Sequence, residues 1–257
     1  MLIYKYIYGP VNSWRLGRSL GIDPISSKRK ACTFDCIYCQ VGKAKSCASK
    51  RRVFVSTENL VKELNSIPKI DIDYITFSGT GEPTLAKNLG SMIKEIRKFR
   101  KEKIAVLTNA TLLGRKDVQR ELKHADLVEA KLDAPSNDLL QIINKPHKSI
   151  SVKKIVDSIK MFKKDFKGKL VLQVMFTKDN IAYAEEIAKI IKSIKPDEVH
   201  LNTPTRPCGI KPASKEEIDK ITHHFKGLRV VSVYDKRKRK KTKPISRKET
   251  LRRRGKA

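Results

Sequence analysis

The stretch "KIAVLTNATLLGRKDVQRELKHADLVEAKLDA", residues 103–134, decides the fold class. It opens and closes on short apolar runs, "IAVL" at 104–107 and "LVEA" at 127–130, each ending in small or polar residues. Between them, "DVQRELKH" at 117–124 has the mixed pattern of an amphipathic helix. Strand, helix and strand in that order form a βαβ unit. Strands that read as nearly continuous apolar runs belong to a parallel sheet covered by helices.

The same alternation recurs outward in both directions. "DYITFSGTGEP" (73–83) precedes "NLGSMIKEIRKFR" (88–100), and "DLVEAKLDAP" (126–135) precedes "SVKKIVDSIKMFKKDF" (151–166). "KLVLQVMFT" (169–177) precedes "AYAEEIAKIIKSI" (182–194), and "EVHLNTPTRP" (198–207) precedes "SKEEIDKITHHF" (214–225). With "SLGIDPI" (19–25) as a first strand there are six β/α units. Eight units need roughly 250 residues, so the expectation is a partial (β/α)6 TIM-like barrel, with "LRVVSVYD" (228–235) as an added edge strand. In such a barrel the reacting groups sit on loops after the C-terminal ends of the strands. Here those loops carry Gly79, Thr80, Gly81, Glu82, Pro83, Asn109, Asp133, Thr177 and Asn202.

The chain has 257 residues, 39% of them apolar, enough for one enzyme-sized core over residues 1–235. No run approaches the roughly 20 apolar residues of a membrane span, and the opening "MLIYKYIY" is broken by Lys5 and closed by Gly9-Pro10, so a cytoplasmic location is expected. The 57 Lys and Arg against 27 Asp and Glu leave a net charge of +30. A field of that sign attracts polyanions, nucleic acid above all; the alternative is a solvated basic surface. In residues 236–257, "KRKRKKTKPISRKETLRRRGKA", basic residues outnumber acids thirteen to one. This segment is expected to be a disordered tail.

Three of the five cysteines crowd into "ACTFDCIYCQ" (31–40): Cys32, Cys36 and Cys39. Clustered thiols outside a disulfide framework point to a metal or cluster site. A structural zinc needs a fourth ligand, for which Cys47 is the nearby candidate. An iron–sulfur cubane held by three thiolates instead leaves one iron open to an exogenous molecule.

Cys-x3-Cys-x2-Cys with Tyr38 before the last cysteine, followed by "FSGTGEP" at the end of a strand, resembles the radical S-adenosylmethionine (SAM) superfamily. "YGPVNSWRLGRSLGIDP" (8–24), "LTNATLL" (107–113), "KLDAPSNDLLQIINKPH" (131–147) and "LNTPTRP" (201–207) resemble a subgroup related to the archaeal wyosine-forming (tRNA 4-demethylwyosine synthase-like) enzymes. Two departures stand out. Trp14 replaces an expected Arg, and only Cys47 and Cys208 are spare, too few for the second cluster of the wyosine-forming enzymes. Many subgroup members continue into a winged-helix module, and "KETLRRRGKA" resembles the start of its first helix.

The resemblance implies a [4Fe-4S] cluster on Cys32, Cys36 and Cys39, its open iron chelated by S-adenosyl-L-methionine. It implies an external one-electron donor, and a 5'-deoxyadenosyl radical that abstracts hydrogen from the substrate. Tyr38 would flank the adenine, and Ser78, Gly79, Gly81, Glu82 and Pro83 would surround the methionine moiety. Thr108, Asn109, Lys131, Asp133 and Asn202 would contact ribose, carboxylate or substrate. Lys131, Asp133 and Cys208 are the candidate catalytic residues. Lys131 lies mid-strand, where an inward lysine is costly unless paired; Asp133 is equally a candidate cap for a helix starting near Ser136. Kinship and charge favour tRNA or another RNA as partner. A maturase acting on a protein, peptide or cofactor is the alternative, and a non-enzymatic nucleic-acid-binding protein with a structural Cys cluster is a third class.

Overall fold

The computed structural model describes residues 4–27, 29–43, 48, 50–235 and 242–254. Eight strands form one sheet in strict chain order: β1 (Ile7–Ser13), β2 (Gly17–Ile22), β3 (Tyr74–Phe77), β4 (Lys103–Thr108), β5 (Leu127–Lys131), β6 (Lys169–Met175), β7 (Glu198–Asn202) and β8 (Val230–Ser232). β1 runs antiparallel to β2, and every later pairing is parallel. The sheet curls into an open half-barrel in which β2 to β7 are the six strands legible in the sequence and β8 is the added edge. β1 is the strand that sequence reading misses. Gly9-Pro10 looks like a breaker there, but the proline sits at a register shift between Tyr8 and Val11, where no ladder donor is needed.

The helices are α1 (Thr57–Asn65), α2 (Leu89–Arg97), α3 (Lys116–Leu122), α4 (Asn137–Ile143), α5 (Val152–Asp165), α6 (Ala184–Ile194), α7 (Lys215–Thr222) and α8 (Arg247–Arg254). They bury narrow stripes against the convex face of the sheet. In α5 the stripe is Val152, Ile155, Ile159 and Phe162, the three- and four-residue spacing of one helix face. Ser56, Ser136, Ser151 and Ser214 cap α1, α4, α5 and α7 through their hydroxyls.

The concave face is built differently. Leu16, Ala105, Leu127 and Val171 form a separate apolar cluster. One pleat further along the same strands stand Glu129 and Gln173, with Ser19, Thr76 and His200 on their neighbours, all buried. An apolar floor beneath a polar layer therefore leads to the open end, and Lys131, two residues beyond Glu129, stands nearest the mouth.

The expectation of a disordered tail is corrected for residues 242–254. α8 packs along β1: Ser246 bridges Gly9, Thr250 Oγ1 accepts from the Gly9 amide at 3.0 Å, and the Ile245 amide donates to the Gly9 carbonyl at 2.6 Å. Arg253 is fully buried and pairs with Asp23 at 3.0 Å and with Glu249. The charge run reads as solvated because its anchor, Asp23, lies some 230 residues away in sequence. Residues 236–241 and 255–257, like Cys47, lie outside the described residues. Among the described residues no helix is long and apolar enough to cross a membrane.

Candidate active site

At the open end of the half-barrel lies a cavity of about 670 Å3, bordered by Cys32, Cys36 and Cys39. The cysteine loop is laid over the end of α4 by backbone bonds from Asp35 to the Asn144 carbonyl and from Ile37 to the Ile143 carbonyl, both 2.9 Å. Its other side bridges the loop after β3, where the Glu82 amide donates to the Ala31 carbonyl at 2.9 Å. The glycines of that loop are required by protein packing. A Cβ on Gly81 would lie 2.0 Å from the Ala31 carbonyl oxygen. On Gly79, whose φ is +128°, it would lie 2.4 Å from the Asp23 carboxyl carbon.

Glu82, for all its place in the cavity wall, is a brace. Its carboxylate accepts from the hydroxyls of Thr84 (2.7 Å) and Thr108 (2.6 Å) and from the Asn109 amide (2.8 Å). Burial pushes this carboxyl up against the pull of those donors. The held Asn109 in turn donates through Nδ2 to Thr33 at 2.7 Å and reaches Cys32 Sγ at 3.5 Å. A second brace comes from Asp133, which accepts from the Met175 amide at 2.8 Å, from Asn144 Nδ2 at 2.8 Å and from the Tyr38 hydroxyl. Ser136, not Asp133, caps α4, so the capping alternative for Asp133 does not hold. Asn144 Nδ2 also faces Cys36 Sγ at 3.3 Å. Lys131 Nζ lies 4.9 Å from the centre of the Tyr38 ring and 3.7 Å from Asp133, the pairing that an inward lysine demands.

Of the residues singled out in the sequence, Tyr38, Gly79, Gly81, Glu82, Thr108, Asn109, Lys131 and Asn202 line this cavity with the three cysteines. Four do not. Ser78 bonds the Tyr8 hydroxyl in a neighbouring pocket. Pro83 is buried in a 3-10 turn, Asp133 lies behind the wall, and the Cys208 thiol turns to the Ile210 carbonyl. Lys131 is therefore the one candidate catalytic side chain at the cavity.

Sequence reading missed a buried charge network in the polar layer. Glu129 pairs with Arg15 and with His200 Nδ1 (2.7 Å), and His200 Nε2 meets Glu198 at 2.8 Å. Trp14 packs edge-on against the His200 ring, at 5.3 Å between centroids. Burial would raise both carboxyls, but Arg15 and His200 hold Glu129 below the usual range. His200 and Lys169 draw Glu198 down to about 2. The signal was present as charged residues at every second position of strands otherwise apolar: Glu129 and Lys131, Glu198 and His200.

The half-barrel with a thiol-bordered mouth defines a class of enzyme scaffold. Residues 28–191 match the family model of the radical SAM superfamily, and the chain belongs to that superfamily. It is 44% identical over 214 residues to the UPF0026 protein slr1464 of Synechocystis sp., spanning 83% of this chain and 79% of that one. A more distant relative is the probable dual-specificity RNA methyltransferase RlmN of Fervidobacterium nodosum, 27% identical over 78% of this chain and 61% of that one. Among solved structures, Streptococcus suis SuiB bound to precursor peptide SuiA superposes with a TM-score of 0.62 at 15% identity, over 82% of this chain and about half (48%) of that one. Archaeal TYW1 superposes with a TM-score of 0.56 at 15% identity, over 80% and 70%. At such identities the likenesses show the fold alone, so the expected wyosine-forming subgroup is not singled out.

Superfamily membership implies an enzyme that uses a [4Fe-4S] cluster and SAM, and the residues present fit that pair. Burial raises the thiols of Cys32 and Cys36, so they stay neutral unless a metal cation displaces their protons. The amides of Asn109 and Asn144 point at the two sulfurs, as donors to thiolate ligands do. Among the described residues no three Cys, His, Asp or Glu side chains converge on one ion. A cubane does not require that, since each thiolate binds a different iron.

Proposed function

We propose that this protein is a radical SAM enzyme that carries a [4Fe-4S] cluster on Cys32, Cys36 and Cys39, binds S-adenosyl-L-methionine in the same cavity, and modifies RNA. The observation that carries the cofactor reading is the bridge between the cysteine loop and the Gly79–Glu82 loop, which brings two sequence motifs some 40 residues apart to one cavity. When bound and reduced by an external one-electron donor, these cofactors supply a 5'-deoxyadenosyl radical that abstracts hydrogen from the substrate.

The chain's own residues bind, orient and shield. Asn109 and Asn144 fix the cysteine loop through its sulfurs, and Glu82 and Asp133 fix the asparagines. Tyr38, its hydroxyl held by Asp133 and its ring covered by Lys131, offers an aromatic wall to a planar group. Phe34, Leu107 and Met175 keep the interior apolar. Asn202 is available at the far rim for a polar contact.

RNA as substrate is supported by charge. Of the four cations at the cavity, Arg15 is paired with Glu129 and Lys131 with Asp133, while Arg206 and Arg254 have no carboxylate partner among the described residues. The chain as a whole carries +30, and the Fervidobacterium relative is named as an RNA methyltransferase. The test is nucleoside mass spectrometry of RNA from a deletion strain. Loss of one modified nucleoside is expected. An unchanged nucleoside profile would contradict the RNA reading and pass the role to the maturase alternative.

A further inference from the structure

Beside the main cavity lies a smaller one of about 200 Å3, and four arginines border it: Arg15, Arg206, Arg253 and Arg254. Two of the four are neutralised, Arg15 by Glu129 and Arg253 by Asp23 and Glu249. Arg206 and Arg254 have no carboxylate partner among the described residues; Arg206 donates to the neutral Gln40 Oε1 at 2.7 Å. Burial, then the charges of Arg254 and Arg15, draw the Arg206 guanidinium down to about 9. Burial and Arg15 likewise hold Arg254 below its ordinary value. Arg15 adds a buried Nε–H with no acceptor. Two partly desolvated, uncompensated like charges, brought together from the loop after β7 and from α8, destabilise the empty protein. An anion between them removes that cost.

The geometry points to this cavity as a phosphoryl-binding subsite that anchors the substrate beside the reaction cavity. Two uncompensated guanidiniums match a phosphate group, which carries one charge as a diester and up to two as a terminal group, and accepts from several directions at once. A carboxylate offers one charge in one plane. The floor is made of hydroxyls, Ser19 with Thr76 and Tyr8 with Ser78, which can turn a proton toward an oxyanion. Arg15, Gln40, Arg206 and Arg254 border both cavities. A phosphate held in the small one therefore leaves the rest of its molecule projecting into the large one. The assignment rests on the reading of the large cavity as the place of reaction, and it deepens that reading: the substrate is a phosphate ester, in RNA either a backbone phosphodiester or a terminal phosphate.

The experiment is calorimetric titration of the reconstituted full chain with inorganic phosphate, against sodium chloride at matched ionic strength. Phosphate binding is expected in the native protein, weakened at least tenfold by Arg206→Gln and further by Arg206→Gln with Arg254→Gln. Melting in phosphate-free buffer is the control. The variants should melt no lower than the native chain, because repulsion has been removed, whereas arginines serving only as structural ties would lower it. Phosphate heats no different from chloride, or a phosphate affinity unchanged by both variants, would overturn the assignment. Competition by a nucleoside 5'-monophosphate, or by a short RNA without a terminal phosphate, supports the subsite and distinguishes the two sources; competition by neither overturns it. An RNA-binding result without phosphate binding would leave the proposed function standing and remove only the subsite.

Discussion

At the scale of single residues, the acid of the "GTGEP" turn is a brace before it is a ligand. Each Glu82 oxygen faces protein donors. Glu82→Gln puts an NH2 group where an acceptor is needed and should cost about 1.5–3 kcal/mol in urea unfolding, with SAM cleavage falling as Thr108 and Asn109 lose their tether. A variant as stable as the native chain would show that Glu82 serves the ligand alone. Glu198 gives a second test. Its folded carboxyl titrates near 2 against an ordinary value of about 4.3. The stability it contributes is therefore complete above about pH 5 and lost as pH falls through that window toward 2. Lys169 and Arg229 reach it from solvent, so the contribution is roughly 2 kcal/mol rather than the full linkage value. Glu198→Gln should flatten the acid limb of a stability–pH curve; an unaltered limb would place the acid sensitivity elsewhere. Cys47→Ser should leave iron content unchanged, since three thiols already border the cavity, whereas metal loss would make Cys47 a ligand.

At the scale of elements, α8 is docked on β1, at one edge of the sheet. Truncation after residue 241 removes Arg253 and leaves Asp23 buried without its ion-pair partner, a loss expected to cost about 3–5 kcal/mol. The Asp23 carboxylate also accepts from Thr80 and fills the space that Gly79 keeps clear, so the truncation should disturb the Gly79–Glu82 loop as well. Thermal melting of the full and shortened chains measures this; equal melting temperatures would return 242–254 to the status of an unpacked tail. The strands β2 to β7 were legible because each is a short apolar run followed by an amphipathic stretch, a pattern set by burial between helices and barrel interior. β1 and α8 were not. One is interrupted by Gly9-Pro10 at a bulge, and the other is a polar helix whose key contact, Arg253 with Asp23, is a long-range ion pair that no local period encodes. The cysteines and the "GTGEP" turn were legible from spacing. Asn144 and Arg15 were not, since their partners Cys36 and Glu129 lie 108 and 114 residues away; His200 showed itself only as a charge alternating with Glu198.

At the scale of the whole molecule, apolar side chains floor the half-barrel while its open end gathers three thiols, an aromatic wall and several arginines. The function proposed for this end is to assemble a cluster that works on SAM. Anaerobic reconstitution, with iron, sulfide and 5'-deoxyadenosine measured for the native chain and for Cys36→Ala, tests it most directly. About four iron and four sulfide per native chain are expected, with 5'-deoxyadenosine formed on reduction, and neither the full iron content nor the cleavage in the variant. Native levels of 5'-deoxyadenosine from Cys36→Ala would contradict it.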